Sequence, residues 1–223
     1  MIKAIAFDLD NTLIDFIKIK KTSCEAAADA MIRAGLEVDR KKLLSEIYKV
    51  YETKGYEYQK VFQDVLKKMT GRVDKSILAH GVVAYKRVKE EMLFPYKDVK
   101  PTLAKLHKRY RLAILSDAPV LQPWIRLAAM DITQYFNVII GYEDTKKKKP
   151  DKRPFLYLLK KLKLKPNQVM FVGDSPRRDI YGAKRVGMAT VLAKYGGNRF
   201  ETERRRIRPD YTIGRFRDLL KIA

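Results

Sequence analysis

The sequence predicts an α/β protein: a parallel sheet covered by helices, with an all-helical insertion after the first strand. Three observations predict it. Short β-rich apolar runs alternate with stretches of helical periodicity. The runs end at Asp, Ser or Gly punctuation. One interval of about ninety residues, far longer than a single crossover helix requires, breaks the alternation. A chain of 223 residues with 46% hydrophobic content is long enough to bury a real core and is not intrinsically disordered.

The first apolar run, residues 3–7, ends at Asp8. The long interval follows it. Its apolar residues recur at helical spacing, as in Leu43/Leu44/Ile47/Val50/Tyr51 and Tyr58/Val61/Phe62/Val65/Leu66/Met69, with Gly35, Gly55 and Gly71 as breaks. Residues 15–94 are therefore expected to form a helical insert, and residues 1–14 and 95–223 the sheet-bearing core. Inserted there, a bundle would sit over the acids that end the first strand. The second run, 112–115, ends at Ser116-Asp117, and the third, 138–140, at Gly141. A helical stripe at Leu156/Leu159/Leu162 leads to the fourth run, 169–172, which ends at Gly173-Asp174. Gly187 opens the fifth run, 189–192, a short sixth occupies 211–213, and Phe216/Leu219/Leu220 suggests a final helix.

The chemistry-bearing residues gather where the runs end. Asp8-Leu9-Asp10-Asn11-Thr12 places two carboxylates and a hydroxyl within five residues, and Gly173-Asp174-Ser175-Pro176-Arg177-Arg178-Asp179 supplies two more acids. The carboxyl ends of strands are where open α/β sheets bind ligands. If the two strands are neighbours, Asp8, Asp10, Asp174 and Asp179 converge, and the usual remedy for four repelling carboxylates is a hard divalent cation with oxygen ligands, for which Mg2+ is the natural candidate. Ser116 and Lys149 offer a hydroxyl and an ammonium to grip a phosphate. Taken singly, each motif also reads as a cap or a turn.

The four motifs, in this order, resemble those of the haloacid dehalogenase superfamily. Asp8, Asp10 and Thr12 match its Asp-x-Asp-x-Thr, Ser116 its strand-ending Ser or Thr, and Lys149-Pro150-Asp151-Lys152-Arg153-Pro154-Phe155 its Lys-Pro-Asp-Pro-x-x-Phe stretch. Gly173, Asp174 and Asp179 match its Gly-Asp-x-x-x-x-Asp. Two positions depart from the pattern: Asp117 stands where many members have Asn, and Lys152 replaces the second Pro. The resemblance implies a Rossmann-like core with strand order 5-4-1-2-3 and a helical cap at residues 15–94. It implies a Mg2+-dependent phosphatase in which Asp8 is the nucleophile and Asp10 the acid and base. Ser116 and Lys149 would bind phosphate, with Thr12 and Asp117 in support. Asp8, Asp10 through its main-chain carbonyl, Asp174 and Asp179 would hold the metal. The second carboxylate, Asp10, argues against dehalogenation, in which no leaving group needs a proton. A phosphomutase of the same superfamily is an alternative. A phosphonatase would need a cap lysine, and nothing singles out Lys54 or Lys60.

Composition bounds the partners. The 48 Lys and Arg against 26 Asp and Glu give a net charge of +22, spread along the chain with concentrations at 18–21, 40–42, 146–149 and 204–206. No nucleic-acid-binding motif accompanies it, so nucleic acid is not the expected partner, although a basic polyanion-binding protein retaining the fold is an alternative. A thermophile-like charged surface accounts for most of the surplus, and a positive field would speed capture of a small phosphorylated substrate. The single Cys24 cannot form an internal disulfide, no apolar run approaches the ~20 residues of a membrane span, and residues 1–7 do not read as a secretory leader. A cytoplasmic protein without a membrane partner is expected; the oligomeric state is not legible. His80 and His107 belong to no triad-like pattern, Trp124 is expected to pack, and Gly196-Gly197-Asn198 reads as a loop and not a nucleotide fingerprint.

Overall fold

The computed structural model describes residues 1–197 and 207–223. Asn198 and the Arg204-Arg205-Arg206 cluster lie outside the described residues. The chain divides into two compact units, one formed by Met1–Asp15 and Phe94–Ala223, the other by Phe16–Leu93.

The first unit is built on a six-stranded parallel sheet: β1 (Ala4–Phe7), β2 (Arg111–Leu115), β3 (Val138–Ile140), β4 (Val169–Gly173), β5 (Ala189–Ala193) and β6 (Tyr211–Ile213), in the order β3-β2-β1-β4-β5-β6. The expected order 5-4-1-2-3 differs in detail, because it lacks the sixth strand, which pairs with the outer edge of β5. Every residue of β1 and β4 is buried, as central strands covered on both faces must be. The register sets Phe7 opposite Ile114 on one side and Val172 on the other. Asp8, Ser116 and Asp174 therefore leave the sheet at its carboxyl edge from three adjacent strands.

The second unit is a helical bundle of α1 (Phe16–Arg33), α2 (Arg40–Lys54), α3 (Val61–Thr70) and α4 (Lys75–Glu91). Ala27, Ala28 and Met31 of α1, Leu43, Ile47 and Tyr51 of α2, and Val61, Phe62, Val65 and Leu66 of α3 form its core. Asp39 and Asp74 cap α2 and α4 by accepting main-chain N–H bonds. Gly35, Gly55 and Gly71, expected as breaks, all have positive φ.

The remaining helices clothe the sheet: α5 (Val99–Leu106), α6 (Leu121–Ala129), α7 (Tyr142–Thr145), α8 (Lys152–Leu162) and α9 (Tyr181–Lys184). Side chains alternate across a strand. Ala4 and Ala6 meet Phe155, Leu158, Leu159 and Leu162 of α8 on one face, while Phe7 meets Phe136 and Phe216 on the other. The buried stripe of α8 thus runs through Phe155, Leu158, Leu159 and Leu162 and leaves out Leu156, which is 51% exposed. Residues 216–221 form a 3-10 helix in place of the expected final α-helix. Among the described residues, no helix is long and apolar enough to cross a membrane.

Candidate active site

The loop after β1 turns sharply because Leu9 accepts N–H bonds from both Thr12 and Leu13 while Leu9 and Leu13 are themselves fully buried. Asn11 takes the left-handed conformation, φ 61°, which Asn tolerates better than most residues. Asp8 continues the sheet by donating its N–H to Val172 at 2.9 Å. From the far side, Tyr195 donates its hydroxyl to the Thr12 carbonyl at 2.8 Å. Gly196 lies so close that a Cβ there would stand 2.1 Å from the Asn11 oxygen and 2.5 Å from Asp174 Cβ.

Each remaining expected residue has its own support. Ser116 is buried, donates its N–H to Ile140 and accepts the Ala118 N–H through its hydroxyl at 3.2 Å. Asp117 accepts the main-chain N–H of Lys149 at 2.8 Å, so it ties the β2 loop to the lysine. After β4 the chain makes a single π-helical turn over Pro176–Ile180, capped by Ser175, which accepts the Arg178 N–H at 3.0 Å. That turn brings Asp179 back beneath the β4 loop, where it accepts the Ser175 N–H at 3.0 Å. Gly173 leaves the space Asp179 occupies: a Cβ would meet its carboxylate at 2.4 Å. Inserted π turns recur at functional sites.

These loops converge. The ammonium of Lys149, itself buried, lies 2.5 Å from Asp8 Oδ1 and 2.7 Å from Asp179 Oδ1. Carboxylate oxygens of Asp8, Asp174 and Asp179 all lie within 4.8 Å of one another. Both oxygens of Asp174 are buried with no hydrogen-bond partner among the described residues. Thr12 stands at the margin, its hydroxyl 3.5 Å from Asp8 Oδ2.

Burial pushes the Asp8 carboxyl up to about 7, against the opposing pull of Lys149, and burial together with Asp8 and Asp179 pushes Asp174 up to about 8. Burial alone would lower Lys149, but Asp179 and Asp8 outweigh it and hold the ammonium charged well above its usual range. Four carboxylates, Asp8, Asp117, Asp174 and Asp179, face two cations, Lys149 and Arg178, so the ionised cluster carries two uncompensated negative charges. An orphaned buried carboxylate, three converging oxygens and that charge deficit fit a divalent, oxygen-seeking cation.

Asp10 is the expected residue whose side chain stays outside the acidic cluster. It turns to Arg126 of α6, whose Nη1 lies 2.8 and 2.7 Å from its two oxygens. Any part Asp10 plays toward a metal therefore falls to its main chain. Arg126 went unnoticed in the sequence, although a lone cation in the apolar helix LQPWIRLAA was a usable signal. Arg178, 3.7 Å from Asp117, and Tyr195 were likewise missed. Trp124, expected to pack, is 45% exposed on α6, and both histidines lie on the surface.

Residues 2–187 match the family model of haloacid dehalogenase-like hydrolases. The chain is 32% identical over 224 residues to the glyceraldehyde 3-phosphate phosphatase of Methanocaldococcus jannaschii, covering all of this chain and 97% of that one. It is also 32% identical over 239 residues to the phosphoglycolate phosphatase of Salmonella paratyphi A, covering 98% and 91% of the two chains. A crystal structure of a HAD phosphatase from Thermococcus onnurineus superimposes with a TM-score of 0.70 at 27% identity, over 99% of this chain and 97% of that one.

Proposed function

We propose, from the premise that this chain belongs to the haloacid dehalogenase-like hydrolase family, that it hydrolyses phosphate monoesters of small metabolites with Mg2+ through an aspartyl-phosphate on Asp8. The observation that carries the reading is the buried cluster in which Lys149 grips Asp8 while Asp174 keeps two oxygens without partners. Asp8 and Asp174, the main-chain carbonyl of Asp10 and, in support, Asp179 would hold the metal, which when bound supplies positive charge against the carboxylates and the phosphoryl oxygens.

A carboxylate attacks a dianionic phosphate only when that repulsion is offset, and Lys149 contributes to this beside Asp8. An oxygen of Asp8 forms a bond to phosphorus as the ester P–O bond breaks, and the protonated carboxyl of Asp10 gives its proton to the departing alkoxide. Asp10, now ionised, takes a proton from water as the water oxygen attacks phosphorus. The acyl-phosphate P–O bond breaks, inorganic phosphate leaves, and both aspartates are restored. Ser116 donates its hydroxyl to a phosphoryl oxygen, Thr12 steadies the nucleophile, and Asp117 acts through the Lys149 main chain.

In the same reading the sheet unit is the catalytic core and the helical insert the cap that gives selectivity. The substrates to try first are glyceraldehyde 3-phosphate and phosphoglycolate, after the relatives' activities. A cytoplasmic location and a heat-adapted basic surface belong to it as well; the net charge of +22 favours capture of a dianion.

Phosphate release from a panel of phosphorylated metabolites tests the proposal. The expected result is release that requires Mg2+, stops with EDTA and falls at least ~1,000-fold in Asp8→Asn, as loss of a covalent nucleophile does. Full turnover by Asp8→Asn would overturn it. Sugar-phosphate interconversion without phosphate release would make the chain a mutase, and salt-sensitive retention of nucleic acid without hydrolysis would make it a binding protein.

A further inference from the structure

We infer that the cleft between α5 and residues 214–220 of the sheet unit binds a nucleoside 5′-phosphate, and that its occupancy steadies the turn that carries Asp8; only the bearing of this on turnover rests on the phosphatase reading above. The cleft has a volume of about 710 Å3, within the range of small-molecule sites and well beyond what one phosphate ion fills. Its lining brings together two kinds of group. Tyr96, Tyr195 and Phe216 supply aromatic surface, the two tyrosine rings standing 5.2 Å apart at 83°. Lys97, Lys105, Arg215 and Arg217, all exposed, supply four cations. The side chains of Lys97, Lys105 and Arg217 have no hydrogen-bond or ion-pair partner among the described residues. Two acids oppose the four: Asp98 accepts the main-chain N–H of Arg217 at 2.9 Å and ties the two sides of the cleft together, and Asp218 stands 3.9 Å from Arg215. The surplus of two positive charges matches a phosphate monoester dianion.

A bare anion would leave the aromatic walls unused, and an apolar ligand would leave the cations uncompensated. A nucleotide uses both, because every base has a π-face that stacks on aromatic side chains and its phosphate takes charge-assisted bonds from Lys and Arg. The three aromatic residues also reach the nucleophile turn, each by a different contact. Phe216 packs on Phe7, the residue before Asp8, with ring centroids 5.6 Å apart. Tyr195 donates its hydroxyl to the Thr12 carbonyl at 2.8 Å, and Tyr96 donates its main-chain N–H to the Leu13 carbonyl at 2.9 Å. A ligand held against these rings therefore restrains the turn at both of its ends.

The test titrates AMP into the full chain carrying Asp8→Asn, with Mg2+ present, so that binding is read as heat without turnover. Heat lost on Lys105→Glu/Arg217→Glu reports the cleft, and heat lost on Ser116→Ala reports the catalytic site. At the cleft, the charge reversal should weaken AMP at least ~10-fold and Ser116→Ala should change its affinity by less than ~2-fold. Tyr96→Leu, which keeps the main-chain bond to Leu13, should weaken AMP at least ~5-fold and leave inorganic phosphate unchanged. Inorganic phosphate and adenosine should each bind there at least ~10-fold more weakly than AMP. Amide exchange at Thr12 and Leu13 should slow when AMP is bound. No heat from AMP, GMP, CMP or UMP up to ~5 mM, or binding kept in the charge-reversed chain and lost in Ser116→Ala, would overturn the inference. So would inorganic phosphate that binds the cleft as tightly as AMP, and AMP binding with unchanged exchange at Leu13 would overturn the link to the turn. A wild-type chain that releases phosphate from no ester would remove the phosphatase reading and leave the binding result standing.

Discussion

The paired acids of the helical unit and the buried acids that follow β1 and β4 in the sheet unit are treated in opposite ways. In the helical unit, Glu46 accepts from Lys49 at 2.8 Å and from Lys68 at 2.5 Å, and those bonds hold its carboxyl down at about 2. Asp29 with Arg40 and Asp64 with Lys54 are likewise paired and lowered. In the sheet unit, Asp8 and Asp174 are buried and raised, and Asp174 has no hydrogen-bond partner among the described residues. Satisfied acids stabilise a fold; acids left under strain wait for something the chain does not supply. The difference is local to the carboxyl ends of β1 and β4, since Asp151 and Asp210 of the same unit are paired and lowered, and it supports the proposed site without appeal to any motif.

The comparison can be broken most decisively at its lysines. Lys149→Met leaves Asp8 and Asp179 facing each other in the interior, and losing one member of a buried ion pair costs about 3–5 kcal/mol. Lys68→Met removes a side chain that is 63% exposed and leaves Glu46 its second lysine, a change expected to cost under ~1 kcal/mol. Urea unfolding of the two variants at neutral pH should differ accordingly; equal midpoints would erase the distinction between the units.

Metal addition sharpens it further. At ~100 times its dissociation constant, Mg2+ should stabilise the wild type by about 2.7 kcal/mol, read as a rise in Tm, and should stabilise Asp174→Asn much less. In EDTA the order should reverse, with Asp174→Asn melting ~2–4 °C above wild type for each kcal/mol of repulsion removed. A metal-free Asp174→Asn that melts below wild type would mean the carboxylate is not under strain.

The smallest effect lies in the acid limb of the helical unit. Glu46 is lowered from an ordinary 4.5 to about 2, so the unfolded state binds its proton first. Its contribution is complete above pH ~4.5 and drains away as pH falls toward 2. Glu46→Gln should lower stability modestly in the neutral region, flatten the profile between pH ~4.5 and 2, and leave stability at the acid end of that window nearly unchanged, as urea midpoints from neutral pH downward would record.

Much of the fold was legible because strands announce themselves locally. All six apolar runs are strands, and the acids or small residues that end them stand at the carboxyl edge. What escaped depends on contacts between distant residues. The pairing of β6 with β5, the exposure of Leu156 and the 3-10 form of residues 216–221 are decided by what lies opposite each segment. The same holds at the site. Asp8, Ser116, Lys149, Asp174 and Asp179 stand out by type and spacing, whereas the rotation of Asp10 away from them follows from a partner 116 positions along the chain. Tyr195, which braces Thr12 from a distance of 183 positions, carries no local mark at all.

Gly196 has a consequence for engineering. With no carbon beyond its backbone, it works as a spacer of fixed thickness between the β5 loop and the first acidic turn, so even alanine there would wedge the Asn11 carbonyl away from Asp174. Anyone transplanting this acidic turn into another scaffold would have to bring the bare backbone at 196 with it, since a side chain there would push the turn and Asp174 apart.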